Sequence, residues 1–283
     1  MSATIMYGDE LATSYRSELK NKVKELKNKG IQPSLSVIIV GNDPASKTYV
    51  RIKKEACEKI GIHSTIKAFQ TDVDEETLLN YINQLNADQS VHGILVQLPL
   101  PNHIDEKKVL ETIHPNKDVD GFHPINVGKL SIGQDTLFPC TPFGIMKLLN
   151  YYNIPVQGKH VVIVGRSNIV GKPIGQMLLN EDATVTYCHS KTVDLYHYTK
   201  QADILIVAVG RNGLITKEAV KERAVVIDIG NTYLESGKVV GDVDFENVKE
   251  IASYITPVPK GVGPMTITML LYNTIKATEN QWL

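Results

Sequence analysis

Along most of the chain, short apolar runs rich in β-branched residues alternate with stretches whose apolar positions recur at helical spacing. Leu35–Val40 (Leu-Ser-Val-Ile-Ile-Val) has strand length, and Gly41-Asn42-Asp43-Pro44 follows it. Asn42 or Asp43 can cap a helix there, and Pro44 suits its first turn. The stretch to about Ile60 reads as that helix, with Gly61 as its stop. A strand near Thr65–Phe69, a helix near Glu75–Ala87 and a strand at Gly93–Leu98 come next, so βαβ units and a parallel sheet are expected. From His114 to about Pro139 the periodicity lapses into a connection of the kind that carries function or joins domains. Thr141-Pro142 opens another helix, and a second series begins. Its strands are His160–Val164, Thr184–Cys188, Asp203–Val209 and Ala224–Ile229, with a helix from Gly171, and a last helix covers about Pro264–Glu279.

Composition narrows the class. At about 150 residues per domain, 283 residues make roughly two domains. Lys+Arg is 30 and Asp+Glu is 31, a formal charge of −1, which argues against a protein that tracks nucleic-acid phosphates. With 42% apolar residues the chain can fill a core. No apolar run approaches the roughly 18 residues that span a bilayer, and the first residues lack the charge and apolar pattern of a signal peptide. A soluble cytoplasmic protein acting on a small molecule is expected, with neither membrane nor nucleic acid as partner. Cys57, Cys140 and Cys188 are an odd number with no Cys-x-x-Cys pair, which fits a reducing compartment. Cys140, in the inter-domain stretch, reads as a small buried hydrophobe. The dispersed histidines form no His-Glu-x-x-His or finger spacing, so no metal site is expected.

Two local patterns carry chemistry. The first is Val161-Val162-Ile163-Val164-Gly165-Arg166-Ser167-Asn168-Ile169-Val170-Gly171-Lys172-Pro173, a strand, a glycine turn and a helix start. Such a turn can aim helix N–H groups at a pyrophosphate. Its spacing departs from G-x-G-x-x-G, and alone it is equally a structural turn. About 20 residues on, where an NAD-preferring fold places an acid against the ribose, the chain has Cys188-His189-Ser190-Lys191-Thr192. With Arg166 in the turn itself, Gly165, Arg166, Ser167, Gly171, Ser190 and Lys191 form a candidate cofactor site that suits a 2′-phosphate, hence NADP over NAD. The second pattern is Tyr49-x-x-x-Lys53, two residues on one face of the helix after Pro44. Short-chain dehydrogenases also carry Tyr-x-x-x-Lys, but there the glycine loop precedes the pair, and here it follows. Alone the pair is most simply a solvated or packing pair, though lysine is the basic side chain most readily tuned by its surroundings.

Six segments together resemble the bifunctional methylenetetrahydrofolate dehydrogenase/cyclohydrolase family, the FolD type. They are Tyr49-Val-Arg-Ile-Lys53-Lys-Glu, Gly93-Ile-Leu-Val-Gln97-Leu-Pro-Leu-Pro101, Lys117-Asp-Val-Asp120-Gly-Phe-His-Pro124, Pro139-Cys-Thr-Pro142, Gly165-Arg-Ser-Asn-Ile-Val-Gly-Lys-Pro173 and Gly261-Val-Gly-Pro-Met-Thr266. They cover nearly the whole chain, in family order and spacing. The resemblance implies an α/β fold of two αβ domains. Residues 1–140, joined by a returning helix 264–283, would form a three-layer folate and catalytic domain. Residues 141–263 would form a Rossmann-type NADP domain, with folate in the cleft between the two. The implied activity is NADP-dependent oxidation of 5,10-methylene-tetrahydrofolate to the 5,10-methenyl form, then hydrolysis to 10-formyl-tetrahydrofolate. A homodimer serving one-carbon metabolism and purine biosynthesis is implied as well. Lys53 matches the catalytic lysine, Gln97 the glutamine that orients it, and Tyr49 the aromatic that stacks along folate. Asp120 matches the carboxylate that grips the pterin, with Asp118 as a structural neighbour. Gly261 and Pro264 match the loop beside the substrate.

Departures bear on these implications. Lys260 stands where the family has glycine, and if that position needs φ > 0, lysine costs roughly 1 kcal/mol. Lys260 could instead attract an anionic glutamate tail or a cofactor phosphate, or reshape the site toward a dehydrogenase without cyclohydrolase activity. Asn231-Thr232-Tyr233 replaces Ile-Asn-Arg, and Tyr7-Gly8-Asp9 replaces Asp-Gly-Lys.

Overall fold

The alternation along the chain folds into two parallel sheets. A computed structural model describes residues 2–234 and 237–282. In chain order its first elements are β1 (Thr4–Ile5), α1 (Asp9–Asn28), β2 (Ser34–Val40), α2 (Pro44–Ile60), β3 (His63–Phe69), α3 (Glu75–Ala87), β4 (Gly93–Val96), α4 (Glu106–Thr112) and α5 (Pro124–Ser131). Next come α6 (Cys140–Tyr151), β5 (His160–Val164), α7 (Gly171–Asn180), β6 (Thr184–Cys188), α8 (Leu195–Thr199) and β7 (Ile204–Val207). The last are β8 (Val225–Asp228), β9 (Thr232–Tyr233), β10 (Val239–Val240), α9 (Phe245–Val248), β11 (Tyr254–Ile255) and α10 (Val262–Trp282).

The chain divides into two compact units, residues 14–140 with 267–283 and residues 1–13 with 141–266. In the first unit, β3-β2-β4 is a three-stranded parallel sheet. Every residue of β2 and of β4 is buried, whereas the edge strand β3 is largely exposed. That contrast explains why β2 and β4 read as continuous apolar runs and β3 does not. One core sets Ile38, Ile94 and Val96 of the sheet against Leu78, Ile82 and Val109 of α3 and α4. Local chemistry places α2 where the sequence predicts it. The Asp43 side chain accepts from the Ser46 amide at 2.7 Å, Pro44 occupies the first turn, and Gly61 ends the helix at φ +91°.

The second unit is a six-stranded parallel sheet, β1-β11-β8-β7-β5-β6. Its core includes Val162, Val164, Leu205, Val207 and Val226, all buried. Chain order reverses between β5 and β7, so the switch point lies at their carboxyl ends.

Three expectations need correction. The first thirteen residues do not belong with the rest of 1–140. β1 pairs in parallel with β11, and Met6 is fully buried, which ties the N-terminus to the second sheet. The stretch 114–139 is not without structure, since α5 lies inside it, capped by His123 accepting from the Ile125 amide and started by Pro124. The helix α1 and the antiparallel pair β9–β10 also stand where no element is predicted. Among the described residues, no helix is long and apolar enough to cross a membrane.

Candidate active site

Tyr49 and Lys53 lie on α2, and both are half-buried. The Lys53 Nζ donates to Gln97 Oε1 at 3.0 Å. Gln97 follows β4, where its backbone N donates to the Ile38 carbonyl at 2.8 Å. Its side-chain Nε2 donates to the Leu98 carbonyl at 2.7 Å. That second bond fixes which way the amide faces, because the nitrogen is committed to a carbonyl and the oxygen is left for the lysine. β2 feeds α2 and Gln97 directly follows β4, so the pair sits at the switch point of the three-stranded sheet.

Asp120 reaches the same place through a segment pinned on every side. Lys117 is buried, and its Nζ donates to the Leu85, Asn86 and Asp88 carbonyls at 2.9, 2.9 and 2.7 Å. An ammonium there closes the carbonyl end of α3, where the helix dipole favours it. Asp118, also buried, accepts from the His123 amide and from Asn126 Nδ2, each at 2.8 Å. Asn126 in turn accepts from Thr136 Oγ1 at 2.7 Å. The Val119 carbonyl accepts from Asn273 Nδ2 at 2.8 Å and from Cys140 Sγ at 3.2 Å. Gly121 has φ +74°, and a Cβ there would lie 2.5 Å from the Pro139 nitrogen. Only glycine allows the turn. Asp120 itself stays half-buried.

The electrostatics follow from this packing. Burial raises the Asp120 carboxyl above the usual carboxylate range, while the Lys53 ammonium and the Cys140 thiol beside it pull it back down. Burial pushes Asp118 up to about 6. Burial, then the charge of Asp120, keeps the Cys140 thiol well above its ordinary range. That is an inert thiol that supports Asp120, not a nucleophile. One unit therefore brings an oriented ammonium together with a carboxylate able to accept paired N–H donors.

In the other unit, Gly165 follows β5 with φ +131°, and a Cβ on it would collide with the Ala208 carbonyl after β7. A Cβ on Gly171 would lie 2.5 Å from the Gly165 carbonyl oxygen. Both glycines are therefore required by close backbone approach at the switch point, and this cradle fits a dinucleotide. The α7 amides are not left open for a pyrophosphate, as the sequence suggested. Ser167 Oγ accepts from the Val170 and Gly171 amides, both at 3.2 Å, and its carbonyl accepts from Lys172 at 3.0 Å. Ser167 thus caps the helix, and Arg166 is left as the exposed cation of the turn. Ser190 and Lys191 are exposed in the turn after β6. That turn is joined to the glycine turn by the Gly165 amide, which donates to the Cys188 carbonyl at 2.9 Å.

The 257–265 loop belongs to this second unit. Gly261 is buried, with no room for a Cβ against the Pro257 carbonyl, 2.5 Å away, and Pro264 is half-buried in the first turn of α10. Lys260 is exposed with φ +81°, and its carbonyl accepts from the Gly8 amide at 2.8 Å. Tyr7-Gly8-Asp9 thus has a packing role, since a Cβ on Gly8 would collide with the Gly261 carbonyl. Sequence reasoning passed over Asn273, a polar residue inside the apolar C-terminal helix, which is the one visible sign of it. It also passed over Lys117, Asn126, Asp228 and Asp242.

A parallel sheet with a glycine cradle at its switch point defines a dinucleotide-binding enzyme module, and the first unit adds an oriented lysine beside a carboxylate. Comparison with known proteins makes this specific. Residues 6–120 match the model of the tetrahydrofolate dehydrogenase/cyclohydrolase catalytic domain, and residues 139–282 match that of its NAD(P)-binding domain. The chain is 58% identical over 279 residues to the bifunctional protein FolD of Bacillus cytotoxicus, covering 99% of this chain and 98% of that one. It superposes on the crystal structure of the bifunctional enzyme FolD from Campylobacter jejuni with a TM-score of 0.97 at 55% identity, covering 99% of each chain. The Trypanosoma brucei FolD structure, complexed with NADP cofactor and inhibitor, matches with a TM-score of 0.95 at 39% identity, over 99% of this chain and 98% of that one. The chain belongs to the tetrahydrofolate dehydrogenase/cyclohydrolase (FolD) family.

Proposed function

We propose that this protein oxidises 5,10-methylene-tetrahydrofolate with NADP and then hydrolyses the 5,10-methenyl product to 10-formyl-tetrahydrofolate. The observation that carries the reading is the 3.0 Å bond from Lys53 to Gln97 beside Asp120. The unit holding Lys53 binds folate, and the unit holding Gly165 binds the dinucleotide. In this reading Asp120 accepts N–H donors of the pterin, Tyr49 stacks along the ring system, and Gly261 and Pro264 line the substrate loop. Lys53 assists attack of water on the methenyl carbon. It takes part in moving the proton released when the water adds and the carbon–nitrogen bond of the ring opens. Gln97 holds the ammonium in one direction throughout.

NADP, when bound, supplies the acceptor for the hydride leaving the methylene carbon. Gly165 and Gly171 let the turn pack closely at the switch point, and Arg166, Ser167, Ser190 and Lys191 are the groups available to its phosphates. Their cations and hydroxyls favour NADP over NAD. The family resemblance further supports a homodimer working in the cytoplasm and feeding purine biosynthesis. With Lys53 and Gln97 paired, nothing favours a dehydrogenase that lacks the cyclohydrolase.

Two assays test this: NADPH formation from methylene-tetrahydrofolate, and loss of methenyl-tetrahydrofolate absorbance without cofactor. Lys53→Ala is expected to abolish the second while NADPH still binds. Wild-type hydrolysis in that variant would remove Lys53 from the mechanism. A higher kcat/KM with NAD than with NADP would overturn the cofactor assignment.

A further inference from the structure

The switch point of the six-stranded sheet has two flanks. One is the Gly165 turn after β5. The other is the segment after β7, whose Ala208 carbonyl packs directly against Gly165. Val209, Gly210 and Arg211 are all exposed, yet their three successive amides point inward to one carboxylate. Val209 and Gly210 donate to Asp242 Oδ2 at 2.7 and 3.0 Å, and Arg211 donates to Oδ1 at 2.6 Å. Asp242 is fully buried.

A second buried carboxylate seats the first. Asp228, at the carboxyl end of β8, accepts from the Asp242 amide at 2.9 Å, from Gly230 at 2.9 Å and from Val243 at 3.0 Å. The backbone is cut to fit this pair. A Cβ on Gly241 would collide with the Asp228 carboxylate, and one on Gly230 would lie 2.5 Å from Asp242 Oδ1. Among the described residues the bonds to these two buried carboxylates come from backbone amides, and buried carboxylates are costly for a fold to keep. They hold one exposed loop in one place, against the cradle.

We infer that Asp242 is a positioning residue for dinucleotide binding, clamping Val209–Arg211 in place on the flank of the switch point opposite the Gly165 turn, with Asp228 as the seat of the clamp. The inference rests on the proposed NADP-linked function. Asp242 does not touch the reacting atoms and acts only through the loop.

Asp242→Asn keeps the size of the side chain but turns one N–H₂ toward amides that themselves donate. The test is fluorescence titration with NADPH, together with both assays on the full chain. Expected is about tenfold or more weaker NADPH binding, as for loss of a charge-assisted bond. The KM for NADP should rise more than kcat falls, while methenyl hydrolysis, which needs no NADP, stays at the wild-type level. Asp228→Asn is expected to give a smaller loss in the same direction, and carries the test should Asp242→Asn fail to fold. NADPH affinity equal to wild type in a folded variant overturns the clamp. Loss of hydrolysis in parallel with binding also overturns it, because that pattern marks a general structural role. If the wild type does not bind NADPH, the proposed function fails and this inference with it.

Discussion

Asp118 makes a prediction that can be worked through in numbers. Its carboxyl is buried and titrates at about 6 in the folded protein, against 3.8 for a free aspartate. A carboxyl whose folded pKa is raised favours the folded state at low pH, and that contribution disappears as pH rises through the folded value. At pH 8 the group is ionised whether the chain is folded or not. At pH 5 it is mostly protonated in the folded state and mostly ionised in the unfolded one. With these two pKa values, the folded state gains about 1.4 kcal/mol between pH 8 and pH 5 from this group alone.

The perturbation is Asp118→Asn. Asparagine retains an oxygen that can accept from both His123 and Asn126, which now share Oδ2, but it cannot titrate. Asp228 is likewise raised to about 6 by burial and contributes with the same sign, but it is present in both proteins and cancels in the difference. Urea melts of wild type and variant at pH 8 and pH 5 supply four unfolding free energies. The wild type should gain about 1.4 kcal/mol more than the variant on acidification. Equal pH dependence in the two proteins refutes the argument, because it would mean that Asp118 ionises as freely in its cage as in water.

Three further outcomes are expected. Gln97→Leu severs the bond to Lys53 and should lower methenyl hydrolysis by about a hundredfold with NADPH affinity unchanged in titration. Asn273→Leu leaves the Val119 and Phe138 carbonyls without the Nδ2 donor they share. It should destabilise the fold by about 2–4 kcal/mol in a urea melt and lower activity in both assays as Asp120 shifts. Lys260→Gly relieves a left-handed backbone that costs about 1–2 kcal/mol, offset by about 0.5–1 kcal/mol of glycine entropy, so a small gain in unfolding free energy is expected.

What could be read ahead of the structure was what short stretches of chain decide. α2 is set by a cap, a proline and a terminal glycine within its own sequence, so the shared face of Tyr49 and Lys53 was visible. The buried runs of β2, β4, β5 and β7 stood out because both faces are covered. Asp120 could be singled out only by family resemblance. The groups that hold its neighbours are Lys117 on α3 carbonyls, Asn126 on Asp118 and Asn273 on Val119, the last lying 154 residues away along the chain. The place of β1 was invisible for the same reason, as two residues carry no periodicity and their partner strand begins at Tyr254.

The corrected reading of the glycine turn follows the same logic. From sequence, Gly165 and Gly171 look like space made for a ligand at a helix start. In the structure much of that space is taken by the protein: Ala208 fills the gap beside Gly165, Gly165 the gap beside Gly171, and Ser167 the first helix amides. These donors already have partners within the loop. In the proposed function, recognition falls to side chains that remain exposed, Arg166, Ser190 and Lys191, and to whatever keeps the opposite flank still. That requirement explains why a buried aspartate stands behind an exposed loop. A carboxylate with three amide partners confines Val209–Arg211 more tightly than apolar packing would, since moving the loop exposes a desolvated charge.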